Sequence, residues 1–286
     1  RPLGLGPTRQ PVVRRRRLPV RHLQRERPDP PGRREHGGRG RGWHDHGAAL
    51  ERDGGFAVLH VVYNSGRRVA GNGADLAALL EALVGAWPGR PGGISILAHS
   101  MGGLVARSAL HAGLRSGRSW PALVRTAVFL GTPHHGAPLE RLGNLFQSAL
   151  GASPYSLPFA RLGRIRSAGI TDLRHGTVLD DDDGGDRFSR QSDTRPPLPL
   201  PAGVAGCAVA GTRARAVGES ASRLPGDGLV PVASALGRHR DPERTLLFPA
   251  GRSLVVPATD HFGLLSSAEV YARVRDWLDD AADPRT

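Results

Sequence analysis

The sequence predicts an α/β fold with a mostly parallel, doubly wound sheet. Short apolar runs with the composition of buried strands alternate with segments whose apolar residues recur at helical spacing. Glycine and proline clusters separate these segments, and strand-like runs are followed by helices, as in a parallel sheet covered on both faces. With 286 residues the chain is long enough to enclose one core of this kind.

The positive charge of the chain is concentrated at its N-terminus. Residues 1–42 contain 13 Arg against three acidic residues, whereas the rest of the chain has 26 Arg against 23 acidic residues. This first segment is rich in Arg, Pro and Gly and has almost no apolar periodicity, so we interpret it as a disordered arm or a misassigned start. Residues 43–286 are then expected to form one domain.

The predicted elements follow one another along this domain. Apolar periodicity predicts a short helix over 48–50, an amphipathic helix over 76–87 with Asn72 as a possible N-cap, and a helix from 101 to about 114. A last helix begins near Ser266, with Glu269 at capping-box spacing. Strands are predicted at 56–63 (covered on both faces), 94–98, 123–130, 204–210 and 245–248.

Residues 136–203 interrupt this rhythm and are interpreted as an insertion over the sheet. They contain helical pieces such as 139–150 and the acidic run 180–183. Neighbouring carboxylates without a histidine or a second acidic cluster repel one another, so we expect a solvated loop there and no metal site.

Ser100 is the candidate nucleophile. It lies in the segment Ala98-His99-Ser100-Met101-Gly102, between a predicted strand and the helix that follows it. A serine on such a tight turn is held in strained backbone geometry with its Oγ exposed above the sheet. The first N–H of the helix, that of Met101, is the predicted oxyanion donor. The alternative is an ordinary serine N-cap.

A serine nucleophile needs a base and an acid, which in this arrangement follow it in the order acid, then histidine. Asp227 lies in a loop after the strand 204–210, and His261 lies just before the final helix. We predict that Asp227 is the catalytic acid and His261 the base. A plain Asp-Gly turn and a histidine at the start of a helix are the respective alternatives.

Other histidines are expected to have supporting roles. His134 and His135 follow the strand 123–130 and are predicted to line the substrate-binding cleft. His99, beside the nucleophile, is expected to pack under the turn. No metal or organic cofactor is required for this chemistry.

Several motifs in this order resemble the bacterial esterase and lipase branch of the α/β-hydrolases, near GPI inositol-deacylase-like proteins and triacylglycerol lipases. They are the Ser100 segment, 130–138 (LGTPHHGAP), 227–235 (DGLVPVASA) and 261–265, with further similarity at 62–67 and 170–176. The resemblance covers about 43–278. It implies an α/β-hydrolase fold, ester hydrolysis through an acyl-enzyme, and a triad of Ser100, Asp227 and His261.

The resemblance also implies that residues 136–203 form a cap over an apolar acyl pocket. One feature of the family is missing: an apolar strand ending in His-Gly, whose loop supplies the second oxyanion N–H. The segment His36-Gly37-Gly38 is a weak candidate, because the residues before it are charged and Pro-rich. If residues 1–42 are genuine, the sheet lacks an inner strand and activity is reduced or lost.

The expected partner is a small ester or lipid, and neither a specific nucleic acid nor a transmembrane segment is expected, with a cytoplasmic location slightly favoured. A second hypothesis is binding to nucleic acid or an anionic membrane through the Arg-rich arm. The arm has no interleaved aromatic residues, so this attraction would be weak and salt-dependent. A third is a hydrolase-fold protein with impaired catalysis. The choice among ester, amide and thioester, acyl transfer to an alcohol, and the oligomeric state stay open.

Overall fold

A computed structural model describes residues 45–89, 91–138, 168–179, 197–216 and 225–280. By its contacts the chain divides into two units. The first comprises residues 1–41 and Leu59–Val62, of which the structure describes only Leu59–Val62; the second comprises 42–58 and 63–286. The predicted arm therefore lies outside the described residues, as do the acidic run and the helical piece 139–150 of the predicted cap.

The centre of the second unit is a four-stranded parallel sheet in the order β1-β2-β3-β4. In the register of these strands, Ala98 lies beside Phe129, and Phe129 beside Ala208. Because the strands are parallel, their carboxyl ends meet at one edge, where the loops carrying the predicted triad begin. The strands are β1 (Ile94–His99), β2 (Val124–Leu130), β3 (Ala205–Gly211) and β4 (Ser253–Val256).

Helices cover both faces of this sheet, as the doubly wound pattern predicted. They are α1 (His46–Gly54), α2 (Val69–Ala86), α3 (Met101–Arg115), α4 (Ala168–His175), α5 (Val232–Ala235) and α6 (Ala268–Asp280). Short 3₁₀ helices span Trp120–Leu123, Pro242–Arg244 and Gly263–Leu265.

Alternating strand residues contribute to two separate apolar cores. On one face, Val128 and Val209 pack with α1 and with the buried stripe of α6, which consists of Val270, Val274, Trp277 and Leu278, as predicted. On the other face, Ala208 packs with residues of α3, α4 and α5. This period-two alternation is what fixes the sheet between two helical layers.

Two predicted strands do not form. Residues 55–64 are extended but belong to no ladder, and Val62 is 75% exposed. A strand needs a neighbouring backbone to bond to, and this run pairs with none of the four described strands. Residues 245–248 are likewise irregular, with Leu247 86% exposed, because it is Ser253–Val256 that pairs with β3.

The start of α2 differs from its prediction. Asn72 lies inside the helix, where its side-chain amide donates to the carbonyl of Asn64 at 2.9 Å. The N-cap position is Arg68, four residues earlier, because buried Asp172 of α4 accepts a hydrogen bond from Val69 N at 2.8 Å. A carboxylate distant in sequence therefore provides the cap that was expected locally.

The last helix also begins one residue later than predicted. The hydroxyl that accepts a hydrogen bond in its first turn belongs to Ser267, which lies 3.3 Å from Val270 N, and not to Ser266.

Among the described helices, α2 is long and apolar enough to cross a membrane by length and composition alone, with a mean hydropathy of 1.3 over 18 residues. It packs extensively against α3. Its two acidic residues have partners: Asp75 pairs with Arg67, and Glu81 accepts hydrogen bonds from the backbone of Ser119 and Trp120. These contacts are those of a helix belonging to a folded domain.

Candidate active site

Ser100 occupies the sharp turn between β1 and α3 that its sequence context predicted. Its backbone has φ 55° and ψ −128°, a left-handed conformation that a non-glycine residue adopts at a cost of about 1–3 kcal/mol. The Ser100 N–H donates to the carbonyl of Leu130 at 2.9 Å, which ties the turn to the end of β2. Ser100 is only 3% exposed, whereas its context predicted a hydroxyl exposed above the sheet.

Asp227 and His261 form a buried pair at the same sheet edge. Oδ2 of Asp227 accepts a hydrogen bond from His261 Nδ1 at 2.7 Å, and both side chains are almost fully buried. The other carboxylate oxygen, Oδ1, accepts from the backbone N–H groups of Leu229 at 2.9 Å and Val230 at 2.8 Å. With both oxygens engaged, the carboxylate orientation is fixed and Nδ1 of His261 carries its proton.

The pKa of Asp227 reflects these contacts. Burial by itself raises the pKa of this carboxyl group, but the charge and hydrogen bond of His261 and the two backbone N–H donors outweigh burial, and the pKa lies below its ordinary value. Asp227 is therefore ionised at neutral pH and can stabilise a positive charge on the imidazole.

His99, next to Ser100 in the chain, contacts His261. The ring of His99 lies 4.5 Å from the His261 ring between centroids, and His99 Nε2 donates to the His261 carbonyl at 2.9 Å. Gly131 also lies near His261; it directly follows Leu130, whose carbonyl accepts the hydrogen bond from Ser100 N–H. A Cβ placed on Gly131 would lie 3.1 Å from Asp227 Oδ2 and 3.2 Å from His261 Cε1. The three predicted triad residues thus share one edge of the sheet.

The predicted hydrogen bond between the Ser100 hydroxyl and His261 does not form. Nε2 of His261 is buried and has no hydrogen-bond partner among the described residues. Such contacts are often longer in a free enzyme than in its complex with substrate. The contact of His261 Nε2 with the Ser100 hydroxyl therefore stays a prediction.

Gly131 is a site residue that sequence reasoning did not single out. It has φ 54°, which favours glycine, and any side chain would enter the space between Asp227 and His261. A glycine directly after a buried strand was the available signal. Its importance depends on a contact with loops about 100 residues further along the chain.

His134 and His135 occupy different surroundings. His134 is buried, with its ring edge-on to Phe129 at 4.9 Å and Nδ1 3.5 Å from Arg107. His135 donates from Nε2 to the carbonyl of Gly237 at 2.9 Å and contacts the ring of His239. Neither hydrogen-bonds to a triad residue in the described part of the chain, and their contact with substrate stays a prediction.

Two neutral histidines, the partly buried His99 and the buried His134, make the stability of the fold dependent on pH. Burial, together with the nearby His261, lowers the pKa of His99 to about 3. Burial and the charge of Arg107 keep the pKa of His134 well below its ordinary value. In the unfolded chain both rings take up a proton below pH ~6.5, so the unfolded state binds more protons than the folded state.

We therefore expect the free energy of unfolding to be fully maintained above pH ~6.5 and to decrease below it, by about 1.4 kcal/mol per pH unit for each of these rings. For His99 the decrease continues down to about pH 3. Urea unfolding at pH 7, 6 and 5 measures this slope. In His99→Gln the amide can still donate to the His261 carbonyl, but the contribution of this ring to the decrease in unfolding free energy should be lost. Equal unfolding free energies of the unmodified protein at pH 7 and 5 would contradict the prediction.

Residues 83–185 match the model of the PGAP1-like alpha/beta domain family. No curated protein is significantly similar to this chain in sequence. The similar solved structures include the lipase BlEst2 from Bacillus licheniformis, at 22% identity with 75% of each chain covered and a TM-score of 0.42.

A thermophilic esterase is similar at 16% identity, with 78% of this chain and 76% of that chain covered and a TM-score of 0.40. The RedJ thioesterase of the prodiginine biosynthetic pathway in Streptomyces coelicolor is similar at 18% identity, with 75% and 71% covered and a TM-score of 0.36. The fold assignment rests on the sheet topology and on the family match. This chain has the α/β-hydrolase fold that its motifs predicted.

Proposed function

We propose that this chain hydrolyses carboxylic esters through an acyl-enzyme on Ser100, with His261 as the base and Asp227 as the acid. The observation that carries the proposal is the buried Asp227–His261 hydrogen bond of 2.7 Å beside a serine held at φ 55° between a strand and a helix. A structural N-cap serine needs neither this backbone conformation nor an aligned carboxylate–imidazole pair.

In the proposed reaction, Ser100 Oγ attacks the ester carbonyl carbon while His261 Nε2 accepts the hydroxyl proton. The carbonyl π electrons move to oxygen, and the Met101 N–H at the start of α3 donates to that oxyanion. The imidazolium is stabilised by ionised Asp227. It then protonates the leaving alcohol as the C–O bond breaks. In the second half of the reaction His261 accepts a proton from the water that attacks the acyl carbonyl, and it returns a proton to Ser100 Oγ as the acid leaves.

Labelling with a fluorophosphonate probe tests the nucleophile directly. The probe forms a covalent bond only with a serine activated by a neighbouring base, so we expect a single modification, at Ser100. Mass spectrometry of the digested protein locates it. Ser116→Ala, at the exposed end of α3, is the matched control and should label normally. Folded protein that is unlabelled, or labelled at another serine, would overturn the assignment.

A further inference from the structure

The hydroxyl of Tyr63 lies beside the first turn of α3. Among the described residues, a Cβ built on Gly102 would have one heavy atom within 4 Å, Tyr63 Oη at 3.7 Å. Gly102 directly follows Met101, whose N–H is the proposed oxyanion donor. The phenol group thus lies beside the first turn of α3, on the side where a side chain at position 102 would project.

The side chain of Tyr63 is partly buried and chemically suited to donate a hydrogen bond. Tyr63 packs against the apolar core that contains Met101 and Val69. Burial raises the pKa of Tyr63 far above its ordinary value, and no hydrogen bond to a described residue contributes to that shift. The hydroxyl therefore keeps its proton at every working pH.

The backbone around Tyr63 is held from two sides. The carbonyl of Asn64 accepts a hydrogen bond from the Asn72 side chain of α2 at 2.9 Å. The carbonyl of Gly66 accepts one from Gly169 N of α4 at 3.3 Å. Gly169 packs so closely against the carbonyls of Ser65 and Arg67 that a side chain there would overlap them. A donor on such an anchored loop does not reorganise during reaction, which is the condition for effective oxyanion stabilisation.

We propose that Tyr63 Oη–H is the second oxyanion donor, in addition to the Met101 N–H. This inference rests on the proposed function. The phenol donates a hydrogen bond as the carbonyl oxygen gains charge, keeps its proton throughout, and is released when the tetrahedral intermediate collapses.

Tyr63→Phe removes the hydroxyl alone. We expect kcat for p-nitrophenyl butyrate to fall about 10²- to 10³-fold, with KM nearly unchanged, because the lost interaction is made in the transition state. Tyr271→Phe is the matched control: its hydroxyl donates to exposed Asp53 at 2.9 Å, away from the site, and its loss should leave kcat unchanged.

A trifluoromethyl ketone separates a donor from a structural residue, because its adduct with Ser100 carries the oxyanion. Its affinity should fall in Tyr63→Phe by the same factor as kcat/KM, with an unchanged thermal midpoint. Gly102→Ala is the second variant. Its methyl group fits at 3.7 Å from Tyr63 Oη but stands beside the oxyanion position, so kcat should fall there too.

Full kcat and full inhibitor affinity in Tyr63→Phe would overturn the role of Tyr63, and so would full kcat in Gly102→Ala if Tyr63→Phe does not fold. The proposed function has its own criterion. Ester turnover that Ser100→Ala abolishes and Tyr63→Phe leaves intact refutes only the Tyr63 donor, whereas turnover that survives in Ser100→Ala refutes the hydrolase mechanism.

Discussion

Ser100→Ala is expected to lower kcat for p-nitrophenyl butyrate by about 10⁵- to 10⁶-fold, which amounts to loss of measurable turnover. The substitution removes the atom that forms the acyl-enzyme, and no other group can take its place. Alanine keeps the Cβ, so the strain of the left-handed backbone at φ 55° is the same and the fold should be retained. Steady-state kinetics and thermal unfolding of the purified variant measure both effects.

Ser116→Ala serves as the control for this substitution. It changes the same residue type at the exposed C-terminal end of the same helix, so turnover should equal that of the unmodified protein. A folded Ser100→Ala variant with more than a few per cent of the original kcat would show that ester cleavage occurs without this hydroxyl.

Asp227→Asn is expected to lower kcat by about 10⁴-fold while leaving the loop in place. The position of Oδ1 accepts two backbone N–H groups, from Leu229 and Val230, so the amide oxygen of asparagine must occupy it. The NH₂ group then faces His261 and donates to Nδ1. The proton of the imidazole moves to Nε2, where the base must be unprotonated to accept from Ser100.

Asp260→Asn is the matched control for the acid. Oδ1 of Asp260 accepts from Gly263 N at 2.7 Å, a contact that an asparagine oxygen can also make. Activity should therefore change little. Comparable losses in both variants, or near-normal kcat in Asp227→Asn, would show that the carboxylate of Asp227 does not orient the base.

These expectations depend on three segments that local sequence pattern located. The strand before Ser100, the helix after it and the capped final helix follow from apolar periodicity and from glycine and serine at element boundaries. Asp227 and His261 were chosen by their order after the serine and their position after strands. Their hydrogen bond depends on how β3 and β4 pair, which the local sequence does not specify.

The failed predictions have a common cause. The run 56–63 has strand composition but pairs with none of the described strands. Residues 245–248 also have strand composition, but it is Ser253–Val256 that pairs with β3. Asn72 has cap chemistry, but Asp172, 100 residues later, provides the actual cap for α2. Propensity describes what a segment can form, whereas hydrogen-bond partners distant in sequence decide whether it does.

By itself, the sequence determined the α/β class, the turn at Ser100 and the residues able to act as acid and base, because these depend on period, spacing and residue chemistry over short stretches. Only the tertiary structure decided that Gly131 must lack a side chain, that His99 packs on His261, and that Tyr63 lies beside α3. Each of these is a contact between segments far apart in the chain, and such contacts exist only once the sheet has brought its loops to one edge.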